Sequence, residues 1–209
     1  MSAQTPPRAP RLVCGLLVDG ALVPPRPGSA KLSNLERIPF QIELSASGLD
    51  LEPMTVAGSV GSSEPPTVEI TAREVRDATR TDAPVRFVQM GAGKDVGRQY
   101  VSLSLEIPVD DAERRKGIKE YLDRLAAAAK KEGRSEEFAH LAQGEDASIA
   151  AFEHLYVQNR VGRFEVVCKY SSRKQGSWNG EVQAPPVPIE IVDRGKFFDQ
   201  PQFGPQGGK

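Results

Sequence analysis

No run in this 209-residue chain is apolar for long enough to span a bilayer, and its first residues lack the basic flank and apolar centre of a secretory leader. A cytoplasmic location is the expectation. Charge of one sign is also missing: 27 Lys and Arg stand against 28 Asp and Glu, so the chain offers no general attraction to nucleic acid or to an anionic membrane. Cysteine is scarce. Cys14 and Cys168 lie far apart, each in an apolar run, and read as two buried thiols packing like small hydrophobes, with a structural disulfide as the alternative.

Catalytic signatures are equally thin. The two histidines, His140 and His154, have no cysteine or carboxylate pattern around them at metal-ligand spacing, so no metal and no cofactor is expected. The segment Met90-Gly91-Ala92-Gly93-Lys94-Asp95-Val96-Gly97 looks like a phosphate loop but has Val88 where the first glycine belongs and Asp95 where Ser or Thr belongs. It reads as a glycine-rich connection between two strands. No Gly-x-Ser-x-Gly elbow is present either. The expectation is a non-enzyme, with a hydrolase built around His154 where helices cross the sheets as an alternative.

What the chain does have is turns and short alternating runs. Its 17 prolines and 19 glycines favour many strand ends over a helical bundle. Leu12 to Val18, an Asp19-Gly20 turn and Ala21 to Val23 predict an opening hairpin, because Asp-Gly supplies the positive φ of a type I′ turn. Ile38, Phe40, Ile42 and Leu44 alternate with Pro39, Gln41, Glu43 and Ser45, the pattern of a strand with one wet face. Pro39 implies an edge strand or the start of a strand, since it gives the ladder no donor. Shorter strands are expected at Val68 to Ala72, Val85 to Met90 and Val101 to Ile107. Two closing strands follow from the alternation of Phe164, Val166, Cys168 and Tyr170 and of Val187, Ile189 and Ile191.

Between them the period changes. From 110 to 157 the spacing of Ile118, Tyr121, Leu122 and Leu125 is helical, with Asp110 or Asp111 as cap and Gly133 as stop. A second helix is expected from Ser135 to Gly144 and a third from Asp146, carrying Ile149, Phe152 and Tyr156 on one stripe. The mixed charges of the first helix, Glu120 and Arg124 among them, read as a solvated face. The expected organisation is a loose Pro-rich start over 1–11, one sandwich domain over 12–199 with the helical insertion 110–157, and a loose tail over 200–209.

The run Gly162-x-Phe164-x-Val166-x-Cys168-x-Tyr170, then Trp178-Asn179-Gly180, then Val187-x-Ile189-x-Ile191 resembles the last two strands of bacterial immunoglobulin-like or macroglobulin-like modules. Ile38 to Leu44 resembles an earlier strand of the same fold. The resemblance implies a mainly β, immunoglobulin-like antiparallel β-sandwich, here with a helical insertion of about three helices before the last two strands. Phe164 takes the place where such modules often carry a corner tyrosine, so the corner's hydroxyl bond is expected to be missing. The resemblance implies neither catalytic residue nor ligand.

The sequence therefore points to surface recognition: a protein-binding or scaffolding subunit of a larger assembly. Trp178, the single tryptophan, lies in a polar loop and is a candidate interface anchor or sugar platform; folded back, it would cap the core instead. Phe197, Phe198 and Phe203 in the tail are candidate docking side chains, with packing on the chain's own surface as the competing reading for Phe197 and Phe198, and Arg173 and Lys174 form a small basic group near the closing hairpin. A carbohydrate- or peptide-binding module using the Trp178 loop is the other alternative.

Overall fold

The computed structural model describes residues 9–23, 31–46, 49, 51–56, 66–133, 149, 152, 156–173 and 178–196. The chain divides into two compact units. The first comprises Met1–Leu32, Arg37–Ile107 and Gly162–Ile191, and the second Ser33–Glu36, Pro108–Val161 and Val192–Lys209.

The elements in chain order are β1 (Arg11–Val18), β2 (Ala21–Val23), β3 (Lys31–Ser33), β4 (Ile38–Ser45), β5 (Val68–Arg76), β6 (Thr79–Ala83), β7 (Arg86–Asp95), β8 (Arg98–Glu106), α1 (Asp111–Lys131), β9 (Gly162–Ser172), β10 (Gly180–Gln183) and β11 (Val187–Val192). They form two open, mostly antiparallel sheets. One has the order β2-β1-β4-β8-β7; the other has the order β3-β11-β9-β5-β6, with β10 also paired to β9.

Alternation explains why these sheets share one core. Strand β4 turns Ile38, Phe40, Ile42 and Leu44 inward, and its register sets Phe40 against Leu103 of β8 and Ile42 against both Val101 of β8 and Cys14 of β1. From the other sheet, β9 contributes Phe164, Val166, Cys168 and Tyr170 to the same cluster, with Ile70 opposite Cys168 and Val187 opposite Val166. Each such side chain is worth about 1.5–3 kcal/mol when fully buried, so the cluster is the main source of the unit's stability.

The hairpin forms as the sequence implies: Asp19 and Gly20 adopt φ of 49° and 75°, and Val18 pairs with Ala21. Pro39 lies near the start of a strand in mid-sheet. It pairs with Ser104 of β8, while on the other side β1 pairing has already ended at Phe40, so the missing N–H breaks no bond to β1.

A strap over Leu51–Val56 belongs to this unit and buries Leu51, Met54 and Val56. Polar side chains hold it. The Met54 N–H donates to Gln99 Oε1 at 3.0 Å, and the Thr55 and Thr67 N–H groups each donate to the other's hydroxyl, at 2.8 and 3.1 Å.

Between β8 and β9 there is one long helix, not about three. Asp110 caps α1 by accepting the Glu113 N–H at 2.8 Å, and Gly133 at φ 72° ends it, with its N–H returned to Lys130 O. The expected second helix, Ser135 to Gly144, lies outside the described residues, as does His140. Of the third, only Ile149 and Phe152 are described as helical.

Ile118 and Leu122 of α1 pack with Leu35, Ile149, Tyr156 and Val157 as the core of the second unit. Two buried asparagines tie its segments. Asn34 accepts from Arg194 N–H at 2.8 Å and donates to Gly195 O at 3.1 Å, while Asn159 donates its N–H to Asn34 O and its side-chain amide to Glu36 O, both at 2.7 Å. Among the described residues no helix is long and apolar enough to cross a membrane.

Candidate functional site

Among the described residues the two sheets have four edges, and these are unequal. β2 and β3 have three residues each and β6 has five, whereas β7 has ten. Short length protects the first two. β6 reads Thr-Arg-Thr-Asp-Ala and is guarded by charge, with Arg80 reaching across β5 to Glu165 through bonds of 2.8 and 3.1 Å. That hydrogen-bonded pairing holds the Glu165 carboxyl below its usual range and raises Arg80.

β7 has little such protection. Its charges, Arg86, Lys94 and Asp95, sit at the ends, and Phe87 to Gly93 is an uncharged run without proline. All of its residues but Phe87 and Gly93 are exposed. Of the six large apolar side chains that are exposed among the described residues, three belong to β7 or its turn: Val88, Met90 and Val96. A long strand that ends its sheet among the described residues and carries exposed apolar side chains is the usual template for strand addition.

The register shows how β7 presents its faces. Arg86, Val88, Gly91, Gly93 and Asp95 pair with Glu106, Ser104, Ser102, Tyr100 and Arg98 of β8, the outer face of that strand. Phe87, Gln89, Ala92 and Lys94 pair with Leu105, Leu103, Val101 and Gln99, the inner face. Two consecutive outer positions are separated by a bulge at Met90. At Gly93 a Cβ would lie 2.3 Å from the Tyr100 ring, so the absent side chain leaves room for that ring across the strand. The glycines expected to form a connection are therefore strand residues, and the turn comes later, at Val96 and Gly97 with φ 71°. Glycine marks a bulge and a close approach here.

Trp178 is half-buried. Its ring stacks on Tyr170 with centroids 6.2 Å apart and planes at 17°, and it covers Gly180, where a Cβ would lie 2.8 Å from the indole. Tyr170 in turn donates its hydroxyl to Glu52 O at 2.7 Å; burial, first of all, raises its pKa. No tyrosine stands at Phe164, yet the first unit does have a tyrosine hydroxyl bound to distant backbone. The Glu52 carboxylate accepts from Ser172 Oγ at 2.9 Å and from the Arg173 N–H at 3.2 Å, which fixes the exposed Arg173 beside this cluster. Lys174, Phe197, Phe198, Phe203 and His154 lie outside the described residues.

Cys14 and Cys168 meet inside the core, one from each sheet, and both thiols are free. Their mutual hydrogen bond, then burial, pushes Cys168 well above the ordinary thiol range, so it is inert as a nucleophile. In the second unit, a cleft of about 130 Å³ lies along α1 and is lined by Glu113, Lys116, Glu120, Tyr121, Tyr156 and Lys196 among others. Lys196 donates to Glu120 and holds that carboxyl below its usual range, a partner for Glu120 that the helical spacing to Arg124 did not disclose. Among the described residues no group of three or more His, Cys, Asp or Glu side chains is placed to hold a metal.

The signal that identifies β7 was present in the sequence as an uncharged, proline-free run. It was obscured because glycine reads first as a break in structure. Comparison of the chain with protein-family models, with curated proteins and with solved structures finds no match in any of the three.

Proposed function

We propose that the chain is a non-enzymatic protein-binding or scaffolding module, built on an immunoglobulin-like β-sandwich and acting by strand addition along β7. The observation that carries the reading is the ten-residue edge, exposed on both faces and uncharged over its middle. Binding there uses backbone hydrogen bonds for affinity and the alternating side chains for specificity. The facing of Cys14 and Cys168 from opposite sheets supports the immunoglobulin-like description, because such modules join their sheets at a comparable pair. Trp178 and Arg173 are secondary contact candidates, and the stacking on Tyr170 limits Trp178 to the part of its ring that stays exposed.

The test is affinity purification of the tagged chain at low and high salt, beside a Val88→Lys variant whose lysine blunts the edge. A stoichiometric chain that survives high salt with the native protein and is lost with Val88→Lys is the expected result. Equal capture by both proteins, or capture of nothing stoichiometric by either, contradicts the reading.

A further inference from the structure

We infer that β7 pairs with β7 of a second copy of this chain, antiparallel, about a twofold axis between Met90 and Gly91. The inference rests on the protein-binding reading and adds a second copy as a weaker, reversible occupant of the same edge.

Two identical strands paired in this way set each residue opposite its counterpart across the axis, and opposite residues share a face. In a regular strand Arg86 and Asp95, an odd number of positions apart, would point to opposite faces. The bulge at Met90 changes this. By their pairing with Glu106 and Arg98 of β8, Arg86 and Asp95 both lie on the outer face.

With the axis beside the bulge, Arg86 of each copy faces Asp95 of the other, so a cation meets an anion at both ends of the pair. Val88 faces Gly93, whose missing side chain is replaced by the Tyr100 ring lying over it, so the valine meets the edge of that ring. Gln89 faces Ala92, and Phe87 faces the alkyl stem of Lys94 on the inner face. The ladder consists of two arms, 86–89 and 92–95, interrupted where the two bulges meet.

The neighbouring registers are worse. Sliding the copies by two residues one way sets Asp95 against Val88 and Lys94 against Gln89. Sliding them the other way sets Asp95 against Pro84, which has no N–H to donate, and Lys94 against Val85. Only the register centred on the bulge matches charge to opposite charge while giving the exposed Val88 an apolar neighbour.

Sedimentation equilibrium of the full chain over a wide concentration range tests this. The expected result is a monomer–dimer equilibrium with a dissociation constant between about 1 µM and 1 mM, as suits a single strand pairing. Arg86→Asp sets two carboxylates together at each end and is expected to weaken the dimer roughly tenfold or more; Asp95→Arg sets two guanidinium groups together and is expected to weaken it as much, and the double exchange restores it. All three variants carry exposed changes, and an unchanged melting temperature confirms that each folds.

A native chain that stays monomeric to about 1 mM, or a dimer that neither single reversal weakens, overturns the inference. If the native chain is monomeric but still retains a different stoichiometric chain that Val88→Lys loses, the self-pairing fails while the protein-binding reading stands. If that chain is missing too, both fail.

Discussion

Cys168 is wholly buried, and its thiol meets that of Cys14 of the other sheet. Replacing it with serine keeps the size but puts a stronger hydrogen-bonding group among aliphatic neighbours. Cys168→Ser is expected to cost about 1–3 kcal/mol in urea unfolding. A maleimide should label the native thiols at least about a thousandfold more slowly than the denatured ones, because labelling waits for unfolding. Alternation in the sequence placed both cysteines on inward faces. It could not show that they meet, since their contact depends on which strands oppose one another across the core.

Tyr156 supplies a second test at this scale. Its side chain is buried in the second unit's core, and burial, first among the causes, pushes its pKa up to about 12. The folded phenol therefore keeps its proton at pH values where the unfolded one, near 10, has lost it. This contribution to stability is complete below about pH 10 and disappears as pH rises through about 12. Titration of phenolate absorbance should show a group near pH 12 that is absent in Tyr156→Phe, beside the raised Tyr121 and Tyr170. Unfolding of Tyr156→Phe should also be less steeply pH-dependent over that window than unfolding of the native chain. A Tyr156 that ionises near the ordinary phenol pKa of about 10 would contradict its burial.

At the scale of elements, α1 contains a position where two rules oppose one another. Glycine in mid-helix normally costs about 1 kcal/mol against alanine, so Gly117→Ala ought to stabilise an isolated α1. In the folded chain a Cβ at Gly117 would lie 2.1 Å from the Tyr156 hydroxyl oxygen and 2.9 Å from Cζ. Overpacking of that kind costs about 1–3 kcal/mol, so sterics win. Gly117→Ala should lower the melting temperature, and Tyr156→Phe in the same chain should recover part of the loss.

Elements with alternating apolar residues were legible in the sequence: the β1–β2 hairpin, β4, β5, β8, β9 and β11, and α1 with its Asp110 cap. Those held by partners alone were not. β3 and β10 are three and four residues long, and β6 is polar up to its last residue, Ala83, so neither length nor alternation announces them. The strap over Leu51–Val56 is fixed by Gln99 and Thr67, residues distant or inconspicuous in sequence. Asn34 and Asn159, which stitch the second unit, look like ordinary loop residues until their backbone partners are known. The single helix corrects an expectation drawn from Ile149, Phe152 and Tyr156. Their spacing marks a buried stripe, and Ile149 and Tyr156 do pack on α1, but periodicity alone does not set how long a helix is.

For the whole molecule, the strand order decides the function proposed here, and strand order is the least legible level. Which strand ends up at an edge depends on non-local pairings that no window of sequence contains. β4 has the same length class as β7 but is paired on both sides and buried, whereas among the described residues β7 pairs with β8 alone. Among the candidate contact residues read from sequence, Trp178 and Arg173 sit near one another around Glu52, while the β7 edge is a separate surface found only from the topology.

The measurement that bears most directly on β7 as the binding edge is hydrogen–deuterium exchange of the full chain at a series of concentrations. Amides in β7 whose N–H groups point away from β8 should exchange quickly in dilute solution and become protected as concentration rises, with β2, β3 and β6 unchanged. Exchange over 86–95 that is the same at every concentration and in the presence of any captured partner, or protection that appears at β6 instead, would contradict the account.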